Sequence, residues 1–543
     1  MSRDNLLDRV LSLLSAHSWL YTFKWTELLT CPNLDPTEAC PKDWADALSS
    51  GKITDLQEFI ISGKAPSSWP VSLKAFASQC LTLTQELIQS ASNTPPIVDS
   101  STSQSSSNGV LSLNESAGYL SYNIELEKAA PRKVKQKKHH EIEIMSAFLC
   151  DLLQNSAILV DNPYKSDKIN TFQTAPFESW MDSQNKKFYR VKLPLSAMVL
   201  VDLGSGLGHL PRRVMQRLGA NCSSIRGVAV EADPKLHSTA LNMESKEQEP
   251  NKRLIRVLAR IEKTSIDQFK SQLSKVLNAD KQDTGYILCG LHCCGDLSEA
   301  ALKMFHVDSN AQGIVLVSCC YHKMSLRDSG CQGEVENQSL SFPLSSELRS
   351  ALQRCPLSTE KSLKMTVALR LACQWSPQQW SQWSPSEIYE HRVRVFIRSL
   401  LEVHLNPRSA PLENVSSVKR LTRHPAVITF PSQSDLNSIK QPFPELIDHW
   451  RSLEAIAKCD CTAHIDVREL TWLAQGGEKV WDLLPGLTAL QQLVQPLLEA
   501  LILADRLWSL ESCSEVGYAT LVRLFDPVQS PRCMALVAVK KTD

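Results

Sequence analysis

The stretch from Met198 to Leu218, MVLVDLGSGLGHLPRRVMQRL, restricts the fold more than any other part of the chain. Met198 to Leu203 are apolar and β-branched without alternation, broken only by Asp202, the pattern of a strand buried on both faces of a parallel sheet. Gly204, Gly206 and Gly208 then remove side chains where the backbone turns sharply and a ligand approaches. Leu207, Leu210, Val214 and Leu218 recur at three- and four-residue steps, so a helix follows with one face on the sheet. Strand, Gly-rich loop and helix in this order open a Rossmann-like nucleotide site.

Finer details select the nucleotide. The dinucleotide fingerprint places glycine first, third and sixth. Here the glycines fall first, third and fifth, with His209 sixth, which argues against NAD. An acid two residues before the first glycine repels a pyrophosphate but can face the cationic amino-acid end of S-adenosylmethionine. Ile225 to Val230 read as a second strand closing on Glu231-Ala232-Asp233, where a carboxylate can accept both ribose hydroxyls. Asp202, Gly204, Ser205, Gly206, Gly208 and Glu231 are the candidate cofactor residues, with S-adenosylmethionine the expected cofactor. The plainer alternative is a structural glycine turn beside a solvated acid.

The 543 residues allow two or more domains, or one domain with large insertions. Lys plus Arg and Asp plus Glu are equal at 58 each, so a polyanion partner would have to be met by a local patch. Seventeen cysteines without a secretory leader fit a reducing compartment. Asp4 and Asp8 interrupt the first apolar segment, which reads as an amphipathic helix, and no run approaches the ~18 apolar residues that span a bilayer. The expectation is an intracellular protein without a membrane partner, the cytoplasm favoured over the nucleus.

Residues 1–88 read as a helical region, with Leu6, Leu7, Val10, Leu13 and Leu14 on one stripe. Residues 89–118 turn Ser-, Asn-, Thr- and Pro-rich and read as a disordered linker. A basic run follows at Arg132, Lys133, Lys135, Lys137 and Lys138, then His139, His140 and Glu141, ahead of a helical stretch from Ile142 to Leu153. Such runs are usually solvated faces, but this one adjoins the cofactor domain, making Lys137, Lys138 and His140 candidate substrate contacts. Strands alternate with helices: strands at 254–259, 286–291 and 313–317, helices at 234–244, 265–277 and 297–305. That spacing implies right-handed crossovers and a parallel sheet, with the site beyond its carboxyl ends. The expected fold is α/β, a Rossmann-like domain at 119–325, interrupted by an insertion at 326–485 and completed at 486–543 by a helix and an antiparallel strand pair. The insertion has Trp-rich turns from Gln374 to Trp383 and a polar region around 405–440. It reads equally as a substrate-recognition subdomain or a helical cap.

The motifs KKHHEI (Lys137 to Ile142), VDLGSGLGHL, GLHCCGDLS (Gly290 to Ser298), VSCCYHKMS (Val317 to Ser325), FPLS (Phe342 to Ser345), RLACQ (Arg370 to Gln374), LILADRL (Leu501 to Leu507) and SPR (Ser530 to Arg532) occur in this order. Together they resemble the methyltransferase-like protein 25 family over most of the chain beyond the linker. The resemblance implies a class I S-adenosylmethionine-dependent fold and a methyltransferase activity, with no settled substrate.

Methyl transfer needs alignment of the acceptor and, for some acceptors, a base. His292, Asp296 and Tyr321 are the candidate catalytic residues: a His or carboxylate can take a proton, and a Tyr can stack on the acceptor. Cys319 or Cys320 is an alternative nucleophile of the kind that attacks a pyrimidine ring, although the proline-cysteine signature of such enzymes is missing. The Asn/Asp-Pro-Pro-aromatic signature that grips an exocyclic amine is also absent, which argues against adenine. His292, Cys293, Cys294, Cys319, Cys320 and His322 could converge on zinc, but adjacent cysteines are poor co-ligands and no Cys-x-x-Cys is present. The cysteines therefore read as buried filler, and no metal is expected to be required. The acceptor reads as RNA from the local basic run or as protein from the neutral overall charge. A scaffold that binds the cofactor without turnover is the reading from another class. Limited proteolysis is expected to cut first within residues 89–118; first cleavage elsewhere would displace that boundary.

Overall fold

The computed structural model describes residues 2–22, 25, 39–91, 109–114, 119–124, 135–155, 157–161, 188–192, 199–219, 222, 224–246, 253–262, 264–277, 285–325, 342–355, 362–405 and 477–541. The chain divides into two compact units. The first comprises residues 1–8, 84–358 and 499–543; the second comprises 9–83 and 359–498.

The first unit is built on one sheet. Its strands are β1 (Gly109–Asn114), β2 (Tyr119–Ile124), β3 (Ala157–Asp161), β4 (Phe188–Lys192), β5 (Val199–Leu203), β6 (Arg226–Glu231), β7 (Leu254–Leu258), β8 (Tyr286–Leu291), β9 (Ala311–Val317), β10 (Val516–Arg523) and β11 (Met534–Lys540). They lie in the order β4-β3-β1-β2-β10-β11-β9-β8-β5-β6-β7. β5 to β9 are mutually parallel, and β11 enters antiparallel to both β9 and β10. This is the doubly wound α/β arrangement expected from the alternating elements, closed by the anticipated strand pair.

All five residues of β5 are buried, as its uninterrupted apolar run requires. Beside it lie α1 (Gln136–Asn155) and α2 (His209–Leu218). Met145, Phe148, Leu149 and Leu152 of α1 share a core with Leu210, Val214, Met215 and Leu218 of α2. At ~1.5–3 kcal/mol per buried apolar side chain, this shared face outweighs helix propensity in fixing both helices. Leu207, expected on the helix, lies instead in the loop, because α2 begins at His209. Three further helices cover the parallel strands: α3 (Pro234–Glu244), α4 (Ile266–Val276) and α5 (Asp296–Val307).

β1 to β4 extend the sheet beyond what the sequence suggests. β1 lies inside the Ser-rich stretch expected to be disordered, because Val110, Leu111 and Leu113 form an apolar island that a composition window averages away. Its backbone pairs antiparallel with β2 from Gly109↔Ile124 to Asn114↔Tyr119. The helix Val71–Ala91 runs past the expected boundary at residue 88; the rest of the expected linker, 92–108 and 115–118, lies outside the described residues.

The second unit is helical. Its N-terminal part includes Lys42–Ser50, Ile53–Ser62 and most of Val71–Ala91. Its other part includes Ser362–Leu371, Pro385–Leu405 and the beginning of α6 (Glu478–Glu511), whose last turns belong to the first unit. Polar side chains on apolar helices join the two parts: Gln491 Nε2 donates to the Leu20 carbonyl at 2.8 Å and Gln57 Nε2 to that of Trp383, also at 2.8 Å. Arg392 lies over the Trp481 ring at 3.9 Å and ion-pairs with Asp482. The N-terminal helices thus fold with much of the expected insertion; the polar region at 406–440 lies outside the described residues.

α6 corrects one expectation. Its mean hydropathy of 1.4 over an 18-residue window meets the length and composition of a membrane span, which no stretch was expected to approach. That window is 89% buried within the protein, as in a core helix. Asp505 on α6, fully buried, accepts hydrogen bonds from Leu344 N, Ser345 N and Ser345 Oγ at 2.7–2.8 Å, tying LILADRL to FPLS. Asp505→Ala leaves three donors, two of them buried, without this acceptor, at ~1–3 kcal/mol for each buried one. Urea denaturation is expected to show a loss on the order of 3 kcal/mol or more; an unchanged midpoint would overturn this anchoring role.

Candidate active site

The loop between β5 and α2 holds its three glycines at positive φ: +70° at Gly204, +57° at Gly206 and +74° at Gly208. Their surroundings differ. A Cβ on Gly204 would meet Leu297 at 3.0 Å, and one on Gly208 would fall 2.5 Å from Arg256 Nη2. A Cβ on Gly206 would meet nothing within 4 Å. Positive φ favours glycine at all three; the first and third are also crowded by the ends of the Leu297 and Arg256 side chains, whereas the second faces open space. Beside it, Ser205 Oγ is buried with no hydrogen-bond partner among the described residues, while its backbone N–H donates to Val230 O at 2.9 Å.

Acids flank this open space. Asp202 is 2% exposed; burial pushes its carboxyl up to about 7 against the hydrogen bond donated by Cys289 Sγ at 3.7 Å. Glu231 closes β6, where Oε2 accepts from Gly206 N at 2.7 Å and Oε1 accepts from Ala232 N and Asp233 N at 2.8 Å. Asp233 instead caps α3, accepting from Lys235 N and Leu236 N. The two acids of Glu231-Ala232-Asp233 thus divide their roles, one toward the loop and one toward the helix.

Beneath the loop sits Arg256 of β7, a residue that the sequence pattern does not single out. Its Nη2 donates to Leu207 O at 3.1 Å and to Glu244 Oε1 at 2.7 Å. A lone arginine in a strand has no spacing signature; the only clue is a buried charge paired to an acid.

At the carboxyl end of β8, His292 adopts φ +70°, the one non-glycine residue with positive φ among the described residues. Strain of this kind collects at functional sites. His292 Nε2 and Glu141 Oε2 are 3.0 Å apart, and Glu141 Oε1 accepts from Ser530 Oγ at 2.6 Å. Burial raises the Glu141 carboxyl, but the bonds to His292 and Ser530 and the charge of Lys137 outweigh it and hold the group below its usual range. Three motifs (KKHHEI, GLHCCGDLS and SPR) meet at this carboxylate. Within the basic run the sequence gives Glu141 no signal that distinguishes it from a solvated acid among lysines.

The remaining candidates are placed as follows. Lys137 is exposed and lies 3.6 Å from Glu141, Lys138 is exposed, and His140 Nε2 accepts from Asp526 N at 3.3 Å. Asp296 is exposed at the start of α5 and accepts from Ser325 N and Ser325 Oγ at 2.7 and 3.1 Å, so it braces the turn after β9. Tyr321 is 2% exposed and donates to Glu499, which ion-pairs with Arg532; its ring is packed inside rather than presented to an acceptor. Cys293 is fully buried against Leu203 O and leaves no room for a Cβ on Gly290, the filler role anticipated for the cysteines. Cys294, Cys319 and Cys320 instead lie together, half-buried, with Cys294 and Cys319 Sγ 2.8 Å apart.

The sheet carries an acid, a glycine loop and a second acid at the ends of β5 and β6, and residues 186–327 match the family of methyltransferase domains. The chain is similar to probable methyltransferase-like protein 25 of Homo sapiens, 25% identical over 287 residues covering 51% of this chain and 42% of that protein. The mouse (Mus musculus) protein of the same name is 27% identical over 280 residues, 51% of this chain and 41% of that protein. The chain aligns with about two fifths of those relatives' length. No solved structure matches.

A carboxyl held below its ordinary value contributes stability that is fully present above the unfolded value of 4.5 and is lost as pH falls through the lower folded value. Glu141→Gln should flatten the acid limb of the pH–stability curve measured by urea denaturation; an acid limb identical to that of the parent would show that this carboxylate contributes nothing.

Proposed function

We propose that the chain is an S-adenosylmethionine-dependent methyltransferase, with the cofactor held at the β5–α2 loop. The observation that carries this reading is the open side of Gly206, between the buried Ser205 hydroxyl and the Glu231 carboxylate. Glu231 retains acceptor capacity for the ribose hydroxyls beyond the backbone N–H groups that orient it. Asp202, buried at the end of β5 with its carboxyl raised to about 7, would gain its full charge when a cationic ammonium group is brought beside it. When bound, S-adenosylmethionine supplies an electrophilic methyl group at the carboxyl ends of β8 and β9.

At those ends the Glu141–His292 pair is the base that this reading assigns. The carboxylate, 3.0 Å from Nε2, fixes the imidazole orientation, and a histidine so held can serve as a general base. The methyl acceptor, RNA or protein, would approach from this side, with Lys137 and Lys138 at its margin.

Calorimetry with S-adenosylmethionine and S-adenosylhomocysteine tests the site. The parent is expected to bind both, and Gly206→Asp to bind neither, because a carboxylate would fill the cofactor's space. Unchanged affinity in the variant would overturn the placement. Tritiated methyl transfer into RNA and protein fractions then identifies the acceptor. A parent that binds the cofactor yet transfers no methyl group would favour the scaffold reading.

A further inference from the structure

Three thiols converge where β8 and β9 end. Cys294 lies in the turn after β8, and Cys319 and Cys320 follow β9. Cys294 and Cys319 Sγ are 2.8 Å apart, Cys319 and Cys320 Sγ are 3.4 Å apart, and all three sulfurs lie within 4.8 Å of one another. Two sulfurs this close share a bond, a proton or a cation. The separation exceeds a disulfide's ~2.05 Å, and thiol hydrogen bonds link Cys294 to Cys319 and Cys319 to Cys320. A single cation would hold all three at once in place of those two bonds.

We propose that Cys294, Cys319 and Cys320 form a three-thiolate zinc site with its fourth position open. Tetrahedral zinc with bonds of about 2.3 Å sets its sulfurs roughly 3.8 Å apart, a spacing that small rotations of these side chains reach. Adjacent cysteines are ordinarily poor co-ligands. Here the backbone bends at Cys320 (φ −115°, ψ 67°) into a short 3₁₀ turn, Tyr321–Lys323, and both sulfurs reach the same side.

All three sulfurs must be thiolates to ligate a metal. Zinc would displace their protons to solvent, making its affinity pH-dependent. Cys293 stays outside the set, its sulfur bonded to Leu203 O, and His292 is turned to Glu141. Three protein ligands and one open position characterise a zinc that takes an exchangeable ligand rather than one that only staples a fold.

The test uses the full chain, purified under reductant and analysed for metal, then titrated with Zn²⁺ against a chromophoric chelator. About one zinc per chain is expected. Cys294→Ser and Cys319→Ser should each weaken binding on the order of 100-fold or more, while Cys355→Ser leaves it unchanged. Because a variant could fail to fold, the parent is also loaded with Co²⁺, which should give thiolate-to-metal charge transfer in the near ultraviolet and tetrahedral bands in the visible. Absence of retained zinc and of the cobalt–thiolate band would overturn the site, as would a band that persists in Cys294→Ser. Neither readout involves S-adenosylmethionine or an acceptor, so failure here is distinguishable from failure of the methyltransferase reading.

Discussion

A carboxylate stripped of water must find its partners in the protein, and at Glu141 that requirement draws three distant stretches of chain to one point. The glutamate is 1% exposed, and an ion so placed is tolerated only where donors replace its hydration. His292 from the turn after β8, Ser530 from the β10–β11 turn and Lys137 one helical turn away supply them. The contact joins α1, the switch-point strands and the closing hairpin, so the geometry at the carboxyl ends of the sheet depends on it.

The same logic recurs along α6 and the turns beside it. Asp505 satisfies the FPLS backbone, Glu499 receives Tyr321 and pairs with Arg532, and Arg506 donates to Ser298 and Met324 Sδ. Several motifs that are scattered in sequence are joined in space by such contacts, FPLS with LILADRL and GLHCCGDLS with VSCCYHKMS among them. This explains why Asp296 and Tyr321, plausible reaction groups by residue type, are engaged in holding turns together.

What was legible in the sequence was what the backbone dictates. The glycines, the apolar run of β5 and the alternation of strands and helices follow from steric freedom and periodicity, and the β5–α2 unit forms almost where those signals place it. Hidden were features that depend on one side chain meeting another across long separations. Arg256 has no period to announce it, and Glu141 is masked by the lysines that precede it. The division of labour among the cysteines, with Cys293 packed beneath Gly290 and the other three gathered above, depends on strand ends that only the folded sheet brings together. β1 was obscured by its Ser-rich surroundings, and the union of the N-terminal helices with residues 359–498 rests on pairings such as Gln491 with Leu20, which leave no local trace.

The position of β11 bears on how such a chain is made. It follows every other strand in sequence yet lies inside the sheet, flanked by β9 and β10. Until it arrives with β10, β9 and β2 present open edges with unpaired backbone groups. On the ribosome the domain therefore spends its longest interval as two half-sheets with a slot between them, a state whose exposed edge invites pairing with other chains. Completion is the late insertion of the β10–β11 hairpin, which converts the β2 and β9 edges into interior at once, so the domain's solubility during synthesis depends on how quickly that hairpin docks.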